Sequence, residues 1–571
     1  MKRNLETIRI KDDHLRAALA GEEFLLIDGA MGTQMQKRGL AGIEPCTELL
    51  CKTHADDIAA IHRAYVEAGA EVITTNTFNA RSAEAAGHMG IDEAFSCAAA
   101  CARAAGARYV AGDIGPTGEL LAPMGTLPFE DACAVFAREA RAAQQAGCDL
   151  ILIETMADLR EAKAAVLAAL DSTDLPVFVT MTFGKQDRTF LGTPPDAAAE
   201  TLWSLGAHAV GINCSLGPCE LGSAVRTMAA RSHGPLIVQP NAGLPRTEGT
   251  EIFYDIAPDE FAEAMRPIVD AGASILGGCC GTSPDYTAKL SELIASYGKP
   301  LAHPVAPACA IASYQNVLSL EEGTREVIVV GTRCVASEND EVADAIADAD
   351  FDVFADEAID QEDEEAAALA VCARCDGTDE EGALRCAVDA MSQSVSLPLV
   401  VETGDAKALE AAVRPYSGKP LARCTAAGDA LDALLGAASR CGCAVALAPC
   451  VEEGRAASVE DAVSAAERAV RAAESFGIAR DDVVIDATPM CDAASASGAA
   501  DAARFIALAK ERLGVRTLMD VSGARFAEPS EALSGRAPLA VLLESGLDFA
   551  LFDPASGAHA GIVDAQRDLI A

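Results

Sequence analysis

The sequence predicts an α/β protein built as two tandem (β/α)8 TIM barrels. Three observations carry that expectation. At 571 residues the chain is longer than one ordinary core organises. Short, continuous apolar runs alternate with alanine-rich helical stretches along its whole length. The alternation breaks once, near the middle, at GKPLAHPVAPACAIASYQ (Gly298 to Gln315), which carries three prolines and no clear period. The expected division is a first barrel at 1–300, a linker at 301–320 and a second barrel at 321–571.

In the first half the apolar runs are FLLIDGAM (Phe24 to Met31), EVITTNTF (Glu71 to Phe78), RYVAGDIG (Arg108 to Gly115) and DLILIETM (Asp149 to Met156). PVFVTMTF (Pro176 to Phe183), HAVGINC (His208 to Cys214), PLIVQPN (Pro235 to Asn241) and ASILGGCC (Ala273 to Cys280) follow. Strands covered on both faces read this way. Helical stretches such as HADDIAAIHRAYVEAGA separate them, with apolar residues at helical spacing and a stop near Gly69. A doubly wound sheet is the alternative, but it uses fewer strands and a glycine fingerprint after the first.

The second half repeats the rhythm. Its runs are EVIVVGT (Glu326 to Thr332), FDVFADE (Phe351 to Glu357), PLVVETG (Pro398 to Gly404) and KPLARCT (Lys419 to Thr425). AVALAPC (Ala444 to Cys450), VVIDATP (Val483 to Pro489), VRTLMDVSG (Val515 to Gly523) and DFALFDP (Asp548 to Pro554) complete eight. The clearest helix, Ser458 to Gly477, starts at a serine cap with acids in its first turn and stops at glycine.

Composition narrows the function classes. Half of the residues are hydrophobic, which argues for packed cores rather than disorder. A formal charge of -42 repels nucleic acid and anionic lipid, so neither is an expected partner. The opening MKRNLETIRI lacks the apolar stretch of a signal peptide, and no run is long and uncharged enough to span a membrane. The expected setting is cytoplasmic, where the 20 cysteines stay reduced and act as ligands, nucleophiles or small core residues. Cys46, Cys51, Cys97, Cys101, Cys133 and Cys148 read as packing residues, and His54 and His62 as surface positions.

A TIM barrel carries its chemistry at the C-terminal ends of its strands. Cys214 follows the sixth run, and Cys279 and Cys280 follow the eighth. Three thiolates converging there leave the fourth tetrahedral position of a zinc ion open, as catalytic zinc sites do. Adjacent cysteines resist pairing with each other, and Gly277, Gly278 and Gly281 give the backbone freedom for both to face one ion. Soft sulfur ligands suit a thiol substrate held as thiolate and alkylated by direct displacement; a hydrolase more often uses histidine or carboxylate ligands. A structural zinc or a coincidence is the other reading of the same three residues.

LIDGAMGTQMQKRGL, TTNTF, GDIGPTG, the ETM after strand four, GINCS and GGCCGT resemble, in order and across the whole first barrel, the homocysteine S-methyltransferase family. The GINC and GGCCGT pair is the specific part. The resemblance implies zinc on Cys214, Cys279 and Cys280, and homocysteine as methyl acceptor. It implies that the backbone of Asp28, Gly29, Ala30, Met31 and Thr33 meets the amino acid's carboxylate and that Glu154 takes its ammonium. Asn76 and Asn241 line the same mouth.

Two barrels in this order resemble the N-terminal half of the cobalamin-dependent methionine synthase family, whose second barrel binds a pterin. VIVVGTRCVAS, FDVFADE, LPLVVETGD, GKPLARCTAAG, VEEGRAASVEDA and DDVVIDATPM carry this likeness. The family's Gly-Glu-Arg-Thr-Asn segment is here Gly331, Thr332, Arg333, Cys334; its Asp-x-Asn is matched to FADE. Its Asp-Ser-Ser is Glu402, Thr403, Gly404, and its strand-four asparagine is replaced near Arg423 and Cys424. Asp486 is retained as a cofactor-binding candidate, but Thr488 stands where an asparagine is expected. Buried hydrogen bonds left unpaired cost about 1–3 kcal/mol each, so these changes predict a degenerate barrel without ordinary folate binding. The chain ends at Ala571 without cobalamin-carrying modules, so methylcobalamin is expected on a separate corrinoid protein. The alternatives are S-methylmethionine or betaine as donor, or a corrinoid-linked catabolic methyltransferase, with the second barrel as a binding scaffold.

Overall fold

The computed structural model describes residues 5–244, 246–248, 251–301, 309–321, 326–449, 458–490, 498–522 and 536–570. The chain divides into two compact units, Arg3–Ala306 and Pro307–Ala571. Each is an eight-stranded parallel barrel with helices between the strands.

In the first unit the strands are β1 (Leu25–Leu26), β2 (Val72–Thr74), β3 (Tyr109–Ile114) and β4 (Leu150–Met156). β5 (Val177–Met181), β6 (Ala209–Asn213), β7 (Leu236–Gln239) and β8 (Ala273–Leu276) follow. Each lies within the run expected for it. A parallel bridge between Ile27 and Val72 joins β1 to β2 and completes the circle. Side chains alternate along each strand. Leu25, Ile27, Tyr109, Ala111, Leu150, Leu152, Phe178 and Ile237 therefore meet in one interior cluster. The helix Asp13–Leu19 plugs the N-terminal opening with Leu15, Ala18 and Leu19. Asp12 fixes it there, capping the Leu15 amide at 2.9 Å and accepting the Tyr109 hydroxyl at 2.6 Å.

The helix Ala55–Glu67 buries Ile58, Ala59, Ile61, His62 and Tyr65. His62 is thus a correction to the expected surface position: it lies three and four residues from other buried positions, on the face turned to the sheet. Neither ring nitrogen has a partner among the described residues, and burial pushes its pKa down to about 4, so it is a neutral core residue.

The second unit closes fully. Its strands are β9 (Ile328–Val335), β10 (Ala368–Cys372), β11 (Leu399–Thr403) and β12 (Leu421–Cys424). β13 (Ala444–Leu447), β14 (Val483–Asp486), β15 (Arg516–Asp520) and β16 (Phe549–Phe552) complete it. FDVFADE is not its second strand. That run opens the helix Asp352–Asp363, which buries Phe354, Ala358 and Gln361 at helical spacing. β10 is ALAVC instead, buried throughout and hidden in an alanine-rich stretch that reads as helix. Short apolar runs do not separate strand from helix by period alone.

The proline-rich stretch also holds structure. Ala310–Ala312 and Val317–Ser319 pair as an antiparallel hairpin, turned where Ser313 Oγ accepts the amides of Gln315 and Asn316. Cys309, Ile311 and Leu320 join the interior cluster of the second barrel, and Ala312 bridges to Lys419 before β12. The hairpin plugs this barrel as the short helix plugs the first. Among the described residues no helix is long and apolar enough to cross a membrane.

Candidate active site: three thiols and buried carboxyl groups

Beyond β6, Cys214 and Ser215 both have φ of +59°, an unfavourable pair for residues with a Cβ. The turn is held by the Cys214 amide on the Gln239 carbonyl at 3.0 Å and the Leu216 amide on the Cys214 carbonyl at 2.7 Å. Beyond β8, the Cys279 amide donates to the Pro240 carbonyl and the Ala242 amide to the Cys280 carbonyl. Gly281 follows at φ +85°, where a Cβ would sit 2.2 Å from the Tyr254 ring. These turns bring the Sγ atoms of Cys214, Cys279 and Cys280 within 4.8 Å of one another, and Cys214 and Cys280 to 3.9 Å.

Two thiolates about 2.3 Å from one tetrahedral zinc lie about 3.8 Å apart, so the donor set and its spacing fit that ion. Hydrogen bonds from the Cys214 and Cys279 thiols, and from Tyr254, hold Cys280 far below the ordinary thiol range, at about 3. The same contacts push Cys214 up to about 11 and Cys279 well up, so without a metal the cluster favours a single thiolate, on Cys280.

Buried carboxyl groups share this end of the barrel with the thiols, and Glu154 feels the charge of Cys280. Asp28 follows β1 and accepts the Thr74 amide at 3.0 Å and its hydroxyl at 2.8 Å; burial pushes its pKa up to about 7. Glu154, on β4, accepts the Asn213 amide nitrogen at 3.3 Å, and Asn213 Oδ1 in turn holds the Thr155 amide at 2.9 Å. Burial, reinforced by the charges of Asp28 and Cys280, raises Glu154 to about 8. Asp113, on β3, is pushed well up by burial and by the charges of Glu154 and Asp28.

Residues 25–294 match the family described as homocysteine S-methyltransferase. The match runs through nearly the whole of the first barrel. Two methionine synthases are similar over more of the chain. That of Mycobacterium tuberculosis (strain ATCC 25618 / H37Rv) is 29% identical over 492 residues, 80% of this chain and 41% of its own. That of Mycobacterium leprae (strain TN) is 28% identical over 508 residues, 83% of this chain and 42% of its own. The chain therefore spans about two fifths of the length of these relatives. Among solved structures, the apo form of the homocysteine methyltransferase MmuM from Escherichia coli is 25% identical, covering 49% of this chain and 99% of its own, with a TM-score of 0.40.

The other expected residues of the first barrel fall in three places. Gly29 packs against Thr282 and Tyr65, where a Cβ would lie 2.5 Å from Thr282 Oγ1. The Ala30 amide donates to the same Thr282 hydroxyl at 3.2 Å, so that amide is already engaged; Met31 opens the short helix Met31–Lys37, and Thr33 Oγ1 accepts the Gly281 amide at 3.2 Å. Asn76 is turned to the loop after β1, donating to the Thr47 carbonyl at 2.7 Å. Asn241 is buried, and its Oδ1 has no partner among the described residues.

Sequence reasoning passed over Thr74, Asp113, Asn213, Tyr254 and Thr282. All but Tyr254 sit inside the segments TTNTF, GDIGPTG, GINCS and GGCCGT. A polar residue in an otherwise apolar strand end was the available signal for them.

At the mouth of the second barrel Asp486 is occupied. Arg423, on β12, places Nε 2.7 Å from Asp486 and Nη1 2.7 Å from Glu402 on β11, and Nη2 3.1 Å from Thr488 Oγ1. Thr488 also donates its amide to Asp486 at 2.9 Å and accepts the Asp520 amide at 2.9 Å. The Arg423 side chain is 11% exposed, and the network satisfies the polar groups it touches.

Proposed function

We propose that the protein transfers a methyl group to the sulfur of homocysteine, giving methionine, on a zinc ion held by Cys214, Cys279 and Cys280, with methylcobalamin on a separate corrinoid protein as donor. The convergence of three thiols at one strand-end mouth carries this reading. Zinc bound there would hold the acceptor sulfur as a thiolate at neutral pH. Glu154, steadied by Asn213, and Asp28, steadied by Thr74, receive the ammonium group and orient the amino acid with its sulfur toward the cysteines. The backbone at Met31–Thr33 faces its carboxylate.

Exposed apolar side chains on the loops above the first barrel support a macromolecular donor. Ile43, Leu120, Met124 and Phe190 follow β1, β3 and β5 and are 52%, 42%, 70% and 81% exposed. All three loops leave C-terminal strand ends, the end of the barrel that carries the thiols, where a protein donor would have to dock. The expected division, domains at 1–300 and 321–571 joined by 301–320, assigns the chemistry to the first barrel, with the hairpin at 310–319 packed on the second. The second resembles a pterin-binding barrel whose pocket is filled by Arg423, and in this reading it holds no folate. A cytoplasmic setting keeps the thiols reduced.

The test is spectroscopic. Zinc-loaded protein is mixed with homocysteine and free methylcobalamin, and loss of the methylated corrinoid is followed by absorbance. Demethylation that requires homocysteine and vanishes in Cys279→Ala supports the acceptor, the metal and the donor together. A zinc site that responds to homocysteine without any corrinoid reaction, free or protein-borne, rejects the donor and turns the search to sulfonium or ammonium compounds.

A further inference from the structure

Asp113 is absorbed by none of the roles above, and its surroundings are unusual. It follows Tyr109 and Ala111 along β3, both in the barrel interior, so its side chain points inward as well. It is 4% exposed, and its Oδ1 has no hydrogen-bond partner among the described residues. Its backbone is clamped: the amide donates to Thr75 Oγ1 at 3.0 Å, and the carbonyl accepts the Thr77 hydroxyl at 2.8 Å. Thr74 holds Asp28 from the same strand end. Successive residues of TTNTF therefore fix two carboxyl groups at one mouth.

No Lys or Arg among the described residues pairs with Asp28, Asp113 or Glu154. Arg81, nearby, is engaged by Glu139 at 2.6 Å. Buried carboxylates without a counter-charge are costly, and one left without a hydrogen bond is costlier. Two further inward-facing groups repeat the pattern independently. Thr180, two residues after Phe178 on β5, and Gln239, two after Ile237 on β7, are buried with Thr180 Oγ1 and Gln239 Oε1 unpartnered. Among the described residues the orphaned atoms on this inner surface are oxygens; Asp113 Oδ1 and Gln239 Oε1 accept, and the Thr180 hydroxyl can accept as well as donate. They call for a guest that brings hydrogens and positive charge.

We propose that Asp113 is a third carboxyl group of the substrate's ammonium pocket, accepting an N–H that Asp28 and Glu154 leave over. An ammonium group has three hydrogens to donate, one for each of three carboxyl groups that feel one another's charge. The assignment rests on the amino-acid substrate proposed above. It makes the pocket selective for a free amino group rather than for a thiol alone.

The experiment compares two ligands on zinc-loaded protein by calorimetry: homocysteine, and 4-sulfanylbutanoate, which keeps the thiol and carboxylate but lacks the ammonium. A charged hydrogen bond is worth about 1.5–3 kcal/mol, or about 10- to 150-fold in affinity. Asp113→Asn and Asp113→Ser are expected to weaken homocysteine at least tenfold and leave 4-sulfanylbutanoate within about threefold of wild type. Binding of the analogue doubles as the check that each variant is folded. Equal loss for both ligands in both variants, or no loss for either, overturns the proposal. Wild-type protein that prefers the analogue, or binds neither, removes the homocysteine reading itself and this one with it.

Discussion

At the mouth of the second barrel a guanidinium stands between two carboxylates; at the mouth of the first, no Lys or Arg among the described residues pairs with the carboxyl groups. Both barrels place acids at strand ends, and both sheath them in protein. Arg423 supplies from within the chain what Asp28 and Glu154 lack, and the difference separates a finished polar network from one awaiting a guest. Buried polar groups satisfied internally stabilise a fold, whereas unsatisfied ones mark places where a ligand completes it. By this criterion the first mouth is the chemical one, independently of the cysteines.

The comparison breaks most sharply at the metal. Cys279→Ala is expected to lower zinc content from one per chain to near none and methionine formation to background, read by elemental analysis and product assay. The unfolding of the second unit should not change. The reciprocal experiment is Arg423→Met, which strands Glu402 and Asp486. Removing one partner of a buried pair costs about 3–5 kcal/mol, so the second unit's denaturation midpoint should fall while zinc content stays at wild-type level. A fall in stability smaller than for an exposed pair such as Arg266–Glu263 would show that the second mouth is open to solvent and available to a ligand.

Much of this contrast was legible in the sequence, and the parts that were not have a common cause. Fourteen of the sixteen barrel strands lie wholly in the runs that apolar continuity picks out, and β9 overruns its own by three residues to Val335, because strands covered on both faces admit little else. The exception, FDVFADE, carries Phe351 and Phe354 at a spacing that serves a helix as well as a strand, and ALAVC was masked by its alanine neighbours. The three cysteines stood out because they follow strand ends and differ chemically from everything nearby. Asn213, Thr74 and Asp113 did not, because their roles are to hold or face other residues across the barrel. Such pairing depends on register between strands far apart in the chain. Arg423 was visible as a substitution, but only the structure shows its donors reaching Glu402, Asp486 and Thr488.

A smaller effect follows from the raised carboxyl groups. Asp28 and Glu154 have pKa values of about 7 and about 8 because burial disfavours their anions. An acid raised in this way stabilises the folded protein below its unfolded pKa, and that contribution is lost as pH rises through 7 and 8. Ammonium binding has the opposite sign, since it requires the anions. Methionine, whose sulfur carries no proton, is the clean probe. Its affinity should increase up to about tenfold per unit between pH 6 and 8. Affinity that is flat across this range would mean that the first mouth is already ionised and resembles the second. Asn213→Ala should cost less, about 1 kcal/mol or fivefold in homocysteine KM with kcat little changed, because it loosens Glu154 without removing a charge.

The least drastic change lies at the rim, and it tests whether the first mouth is built for a large donor. Met124 and Phe190 are the most exposed of the large apolar side chains on the described loops, and neither is near the thiols by any hydrogen bond or ring contact described above. Replacing them with Met124→Ser and Phe190→Ser leaves the cysteines, the carboxyl groups and their supports unchanged. If a corrinoid protein docks on this rim, its KM should rise several-fold while the rate with free methylcobalamin and the affinity for homocysteine stay the same. Equal rates with both donors in wild type and variant would mean that the rim does not recognise the carrier. The acids and thiols would then account for the whole difference between the two barrels, with the donor entering as a small molecule.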